Sequence, residues 1–175
     1  MNMSRIKNII KKASAIVLSV SMLLSFVSCS SNRHPFNPAR REAKKIFEYI
    51  KNKDTKKLNR LFSEDVRDSH DLDDEWDDFF DIIDGDIVSY GKISSGGEEV
   101  YIDYGKVTYS YIIVNINDVK TDTGMTYDMI SYCQARVNKK HPGNEGIGLF
   151  SIQLPSDNDR GFEEVTVGEV IIYYD

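Results

Sequence analysis

Apolar residues follow three successive patterns along the chain. The first is an uncharged, largely apolar run from Ala13 to Val27, 15 residues long. The second has helical spacing. Asn37-Pro38 reads as an N-cap followed by proline at the first helical position, and Ala43, Ile46, Phe47 and Ile50 then recur at i, i+3, i+4 and i+7. Asp54 caps a second short helix carrying Leu58, Leu61 and Phe62. Ser63 to His70 is polar and reads as a turn. Asp71 or Ser69 caps a third helix, where Leu72, Trp76, Phe79, Phe80 and Ile83 form the heaviest apolar face and Gly85 supplies the stop. From Asp86 the period shortens to about 2, the strand repeat. Ile87 to Ile93 is a first strand and Ser94 to Gly97 a hairpin signal. Glu99 to Asn117 is two strands or one long bent one, with Gly105 as a bulge or break. Met125 to Val137, Ile147 to Leu154 and Val165 to Tyr174 complete the series, separated by turns at Asp118 to Gly124, Lys139 to Gly146 and Pro155 to Gly161. Three helices followed by about five or six antiparallel strands define an α+β domain with its helices segregated to one face of a curved sheet.

The run at Ala13 is short of the roughly 20 residues that a spanning helix needs. Arg5, Lys7, Lys11 and Lys12 precede it with no acid, and Ser28-Cys29 closes it, which are the parts of a secretory signal. With a cysteine directly after a small residue, the segment resembles a bacterial lipoprotein signal, although Phe26 stands where leucine is usual. The resemblance implies cleavage before Cys29 and diacylation of its thiol. The expected organisation is a signal peptide over 1–28, an acylated tether over 29–38 and one domain over 39–175. Ser30 to Asn37 would reach at most ~25–30 Å at about 3.3–3.6 Å per residue.

The order of elements carries a second resemblance. Asp54-Thr-Lys-Lys-Leu-Asn-Arg-Leu-Phe-Ser-Glu-Asp-Val66, then an aromatic-rich helix and a strand series, is similar to the nuclear-transport-factor-2-like (cystatin-like) fold. Ile83-Asp-Gly-Asp-Ile-Val-Ser-Tyr90 and Gly146-Ile-Gly-Leu-Phe-Ser-Ile152 resemble small Gram-positive lipoproteins that form a domain-of-unknown-function family. That likeness spans roughly 39–154. It implies a sheet wrapped into a cone beside the helices, in a superfamily that holds both enzymes and non-catalytic binding domains.

Charge sharpens the picture. The chain carries 22 basic and 28 acidic residues, and removing 1–28 takes away four cations and no acid, for a mature net charge of −10. This argues against a general nucleic-acid binder, which needs cations to replace counterions on phosphate. Residues 33–60 hold ten basic residues against three acids, whereas 61–175 hold eight against 25. The basic segment is the one nearest the lipid, and each cation close to an anionic bilayer contributes about 1 kcal/mol.

Candidate chemistry is sparse. Asp71 to Asp86 packs nine acids into sixteen residues, but Trp76 and Ile82 stand where a calcium loop needs glycine and glutamate. No Gly-x-Ser-x-Gly elbow is present, and Ser95-Gly-Gly97 lacks the helix that a phosphate loop needs. His34, His70 and His141 lie in tether or loop sequence, with Asp71 beside His70. Cys133 has no intramolecular partner if Cys29 is acylated, and it reads as a buried, inert thiol. Enzymes with the cone fold project Asp, His or Tyr into the cavity. Tyr90, Tyr104, Tyr132 and Arg136 are accordingly the candidate ligand-binding residues, with Asp103 nearby. Register decides which of them point inward, and register cannot be read from spacing alone. The expectation is an extracytoplasmic lipoprotein, lipid-anchored at Cys29, with no catalytic residue, metal or cofactor. Its domain is read as a non-catalytic binding or interaction module for an unknown protein or small-molecule partner. The alternative is a small-molecule binder or enzyme with its site in the cone.

Overall fold

The computed structural model describes residues 36–154 and 164–169. The expected lipoprotein signal, Cys29 and the expected tether up to Pro35 lie outside the described residues, as does 170–174 of the last expected strand. Four helices come first: α1 (Phe36–Lys51), α2 (Thr55–Asn59), α3 (Glu64–Ser69) and α4 (Leu72–Asp81). Six strands follow: β1 (Ile87–Ser89), β2 (Lys92–Asp103), β3 (Lys106–Thr121), β4 (Thr126–Asn138), β5 (Gly146–Gln153) and β6 (Glu164–Gly168). A 3-10 turn at Pro142–Asn144 sits between β4 and β5.

α1 starts at Phe36, so Asn37 is inside the helix and not its cap. Its apolar stripe is buried from Ala39 to Ile50. Asp54 caps α2 and Asp71 caps α4 by accepting from the backbone N–H three residues on. α3 is a helix where a turn was expected. Ser63 caps it by accepting from Val66 N at 3.4 Å, and Glu64 and Asp65 complement the exposed amides of the first turn. Only Val66 is buried from this helix, so it leaves no apolar stripe to read.

The sheet is antiparallel in the order β1-β3-β4-β5-β6, with β2 also paired to β3. β1 and β2 follow one another along the same edge of β3, split by Tyr90-Gly91, and β6 forms the other edge. No pairing joins those edges among the described residues, so the sheet is open and the expected nuclear-transport-factor-2-like cone is not formed. From β2 to β6 each strand pairs with the next in the chain, which builds a meander, and nothing in that order forces the ends to meet. Ser94 to Gly97 is not a hairpin either. β2 runs straight through it with a bulge between Ser95 and Gly97. The reversal comes at Tyr104-Gly105, where both φ angles are positive at 45° and 75°. A two-residue hairpin turn of that handedness matches strand twist.

Alternation then sorts the side chains. Ile112, Val114 and Ile116 of β3 lie opposite Gln134, Tyr132 and Ile130 of β4, and Tyr132 and Ile130 lie opposite Phe150 and Ile152 of β5. This face packs on α1 and α4. Its densest point is Trp76, whose ring centroid lies 5.1 Å from Phe79, 5.5 Å from Phe80 and 5.2 Å from Phe150. The indole N–H donates to Asn59 Oδ1 at 2.9 Å, and Asn59 Nδ2 donates to Asp73 at 2.8 Å, which ties α2 to α4. The opposite face carries a polar row straight across five strands: Ser94, Asn115, Ser131, Ser151 and Thr166.

Candidate functional site

Among the described residues, one place on the core side of the sheet brings buried polar groups together. Tyr132, Gln134 and Arg136 occupy alternate positions of β4, and α1 sets Glu42 above them. Gln134 Nε2 donates to Glu42 Oε1 at 3.3 Å. Tyr132 is 1% exposed, with its ring 5.5 Å from Phe150, and its hydroxyl has no partner; Gln134 Oε1 is likewise buried and unpartnered. Leaving such a group unsatisfied costs about 1–3 kcal/mol, so the two orphans beside one carboxylate are the polar atoms here that a further donor or acceptor would satisfy. Burial holds the Tyr132 phenol well above its ordinary range, the Glu42 charge adds to that, and Arg136 opposes it. The phenol therefore stays neutral and can donate to an acceptor, but it cannot serve as a base.

Glu42 also belongs to a groove of about 490 Å³ on the outside of α1. Ile46, Tyr49 and Leu61 give it an apolar floor, and Arg41 and Lys45 sit at its rim. Lys57 lies 5.1 Å from the Tyr49 ring while paired to Asp54 at 2.5 Å. The groove thus pairs an apolar floor with a rim of mixed charge, Arg41 and Lys45 beside the Glu42 carboxylate.

The four ligand-binding residues expected from sequence divide. Tyr132 faces the helices, and Arg136, two and four positions along β4 from Gln134 and Tyr132, lies within electrostatic reach of the phenol. Tyr90 packs edge-on to Phe47 at 4.5 Å and fills space at the break between β1 and β2. Tyr104 is 97% exposed on the β2–β3 turn, so it shares no enclosed site with Tyr132. Glu42 and Gln134 were missed. The available signal was Glu42's place three residues after Ala39 and four before Ile46, on the buried stripe of a helix.

The remaining chemical candidates are structural. His70 pairs with Glu75 at 2.7 Å and not with Asp71, and the other Glu75 oxygen accepts from Gly168 N at 2.6 Å, pinning β6 to α4. Burial pushes the Cys133 thiol up to about 11, so it carries little thiolate at neutral pH. It lines a cavity of about 30 Å³ with Tyr109, Tyr111 and Asn144, room on the order of a single water. Among the described residues no three His, Cys, Asp or Glu side chains are grouped to hold a metal ion, and no helix is long and apolar enough to cross a membrane.

Against known families, residues 45–157 match the model of a domain of unknown function, DUF5104. The chain belongs to that family. No curated protein matches it. The DUF5104 span runs from the second half of α1 past the end of β5. It therefore contains Tyr132, Gln134 and Arg136, while Glu42 and Arg41 precede it and β6 follows it. The family carries no assigned activity, and the described DUF5104 residues carry no catalytic signature.

Proposed function

We propose that this DUF5104 protein is an extracytoplasmic lipoprotein, anchored to the membrane through acylated Cys29, whose domain is a non-catalytic binding module. The observation that carries the anchor is the cysteine itself. It directly follows Val27-Ser28 at the end of a 15-residue apolar run behind a purely cationic start. The groove beside α1 supports the binding role, because it offers an apolar floor and cations but no activated nucleophile or base.

Cys29→Ala tests the anchor. Cells expressing it should accumulate unprocessed chain that no longer incorporates labelled palmitate, whereas wild-type processing should be blocked by globomycin. Unchanged lipid labelling and mobility in Cys29→Ala would refute the reading.

A further inference from the structure

The β2–β3 hairpin ends in exposed apolar surface on both of its faces. Tyr104 is 97% exposed, Ile102 65%, Tyr101 53% and Val100 47%. We infer that this tip is a second membrane contact, lying in the headgroup layer of the anionic bilayer that holds Cys29. The inference rests on the lipoprotein reading above.

Position carries it first. Gln134, which bonds Glu42 of α1, lies opposite Ile112. From that level the strands run on through Tyr109 opposite Asn138 and Tyr101 opposite Tyr109 to the Asp103–Lys106 pair at the tip. At the far end of the same strands, Lys51 Nζ donates to Val88 O, next to Ile87 paired with Thr121. α1 thus begins at the tip end of the sheet and runs away from it. Residues 30–35 separate Cys29 from α1, and six residues reach at most ~20–25 Å. The chain from Cys29 therefore enters the domain at the tip end of the sheet and not at the β3–β4 turn.

Chemistry carries it second. Tyrosine on a tight turn flanked by Ile102 and Val100 is an amphipathic tip of the kind that partitions to a membrane interface. A tip exposed on both faces is not a sheet face awaiting a second protein layer. Lys106 sits on the hairpin, Lys139 donates its backbone N–H to Thr108 O with Lys140 beside it, and Arg40, Arg41, Lys44 and Lys45 lie in the first half of α1, at the same end of the sheet. Glu98, Glu99 and Asp103 share the hairpin, with Glu42 and Glu145 nearby, and Glu99 accepts from the Tyr101 hydroxyl at 2.6 Å. Those carboxylates keep the tip out of the hydrocarbon and limit it to the headgroup region.

Trp76 is the one tryptophan and is fully buried, so it serves as an internal reference. The test uses the acylated protein in vesicles of phosphatidylglycerol and phosphatidylethanolamine with a nitroxide quencher on a fraction of the headgroups. Tyr104→Trp reports on the tip and Met125→Trp on the exposed turn at the opposite end. The expected result is co-flotation of both variants, with a blue-shifted indole quenched at least about twofold in Tyr104→Trp alone. Flotation without quenching overturns the tip contact and leaves the anchor standing. Equal quenching of both variants overturns the orientation and with it the proposal. Failure of the wild-type protein to float overturns the anchor and the tip contact together.

Discussion

At the scale of single residues, the most informative side chain is Tyr132. Its ring is well packed against Phe150, yet its hydroxyl is buried without a partner. Tyr132→Phe removes the orphan and keeps the ring, so stability in urea denaturation should hold or rise by up to about 1 kcal/mol. A loss instead would reveal a bound water or ligand on the hydroxyl. Cys133 makes a pH-dependent prediction. Its thiol sits at about 11 in the folded protein against an ordinary 9.0. The unfolded chain therefore releases this proton first as pH rises. The contribution to stability is intact below about 9 and is lost as pH climbs through about 11. Alkylation by iodoacetamide at pH 8 should be slow in the native protein and fast once it is unfolded.

At the scale of elements, the helices were legible because their apolar stripes are long or heavy. Trp76, Phe79 and Phe80 announce α4, and Ala43 to Ile50 announce α1. α3 was not legible, since one buried valine produces no period. Hairpin signals misled for a related reason: glycine pairs mark turns and bulges alike, and only pairing across to β3 shows that Ser94 to Gly97 is a bulge. Gly146 has a stricter role than spacing suggests. Its φ is +130°, and a Cβ there would meet the Ser63 backbone nitrogen at 2.8 Å, where the chain before α3 runs beside β5. Gly146→Ala should cost more than the roughly 1 kcal/mol of an average point substitution, seen as a lowered urea midpoint. Trp76→Ala should cost about 3–5 kcal/mol by the same measurement, because four aromatic neighbours and the Asn59 bond lose their partner.

At the scale of the whole molecule, charge is divided between elements. α1 and α2 carry the basic segment, with α1 packing toward β1, β2 and β3 and α2 on α1 and α4, whereas the acidic α4 packs on β6. Reversing Lys44, Lys45, Lys56 and Lys57 should weaken binding of the non-acylated protein to anionic vesicles by at least about tenfold at low salt. Co-sedimentation across a salt series checks this, and unchanged binding would show that the basic face plays no part at the membrane.

By itself, the sequence determined the α+β class, the succession of helices then strands and the asymmetry of charge. Each of these is a matter of local period or composition, which a linear chain displays directly. Tertiary structure decided whether the sheet closes, which tyrosines face the core and where the chain reverses. Closure depends on whether the edge strands β1 and β6 find each other, and the facing of Tyr132 depends on its pairing with Val114 and Phe150. A one-residue slip in either pairing would turn that side chain to the other face without changing a letter of the sequence. Glu42 met Gln134 for the same reason: 92 residues apart in the chain, they are neighbours only because α1 lies across β4.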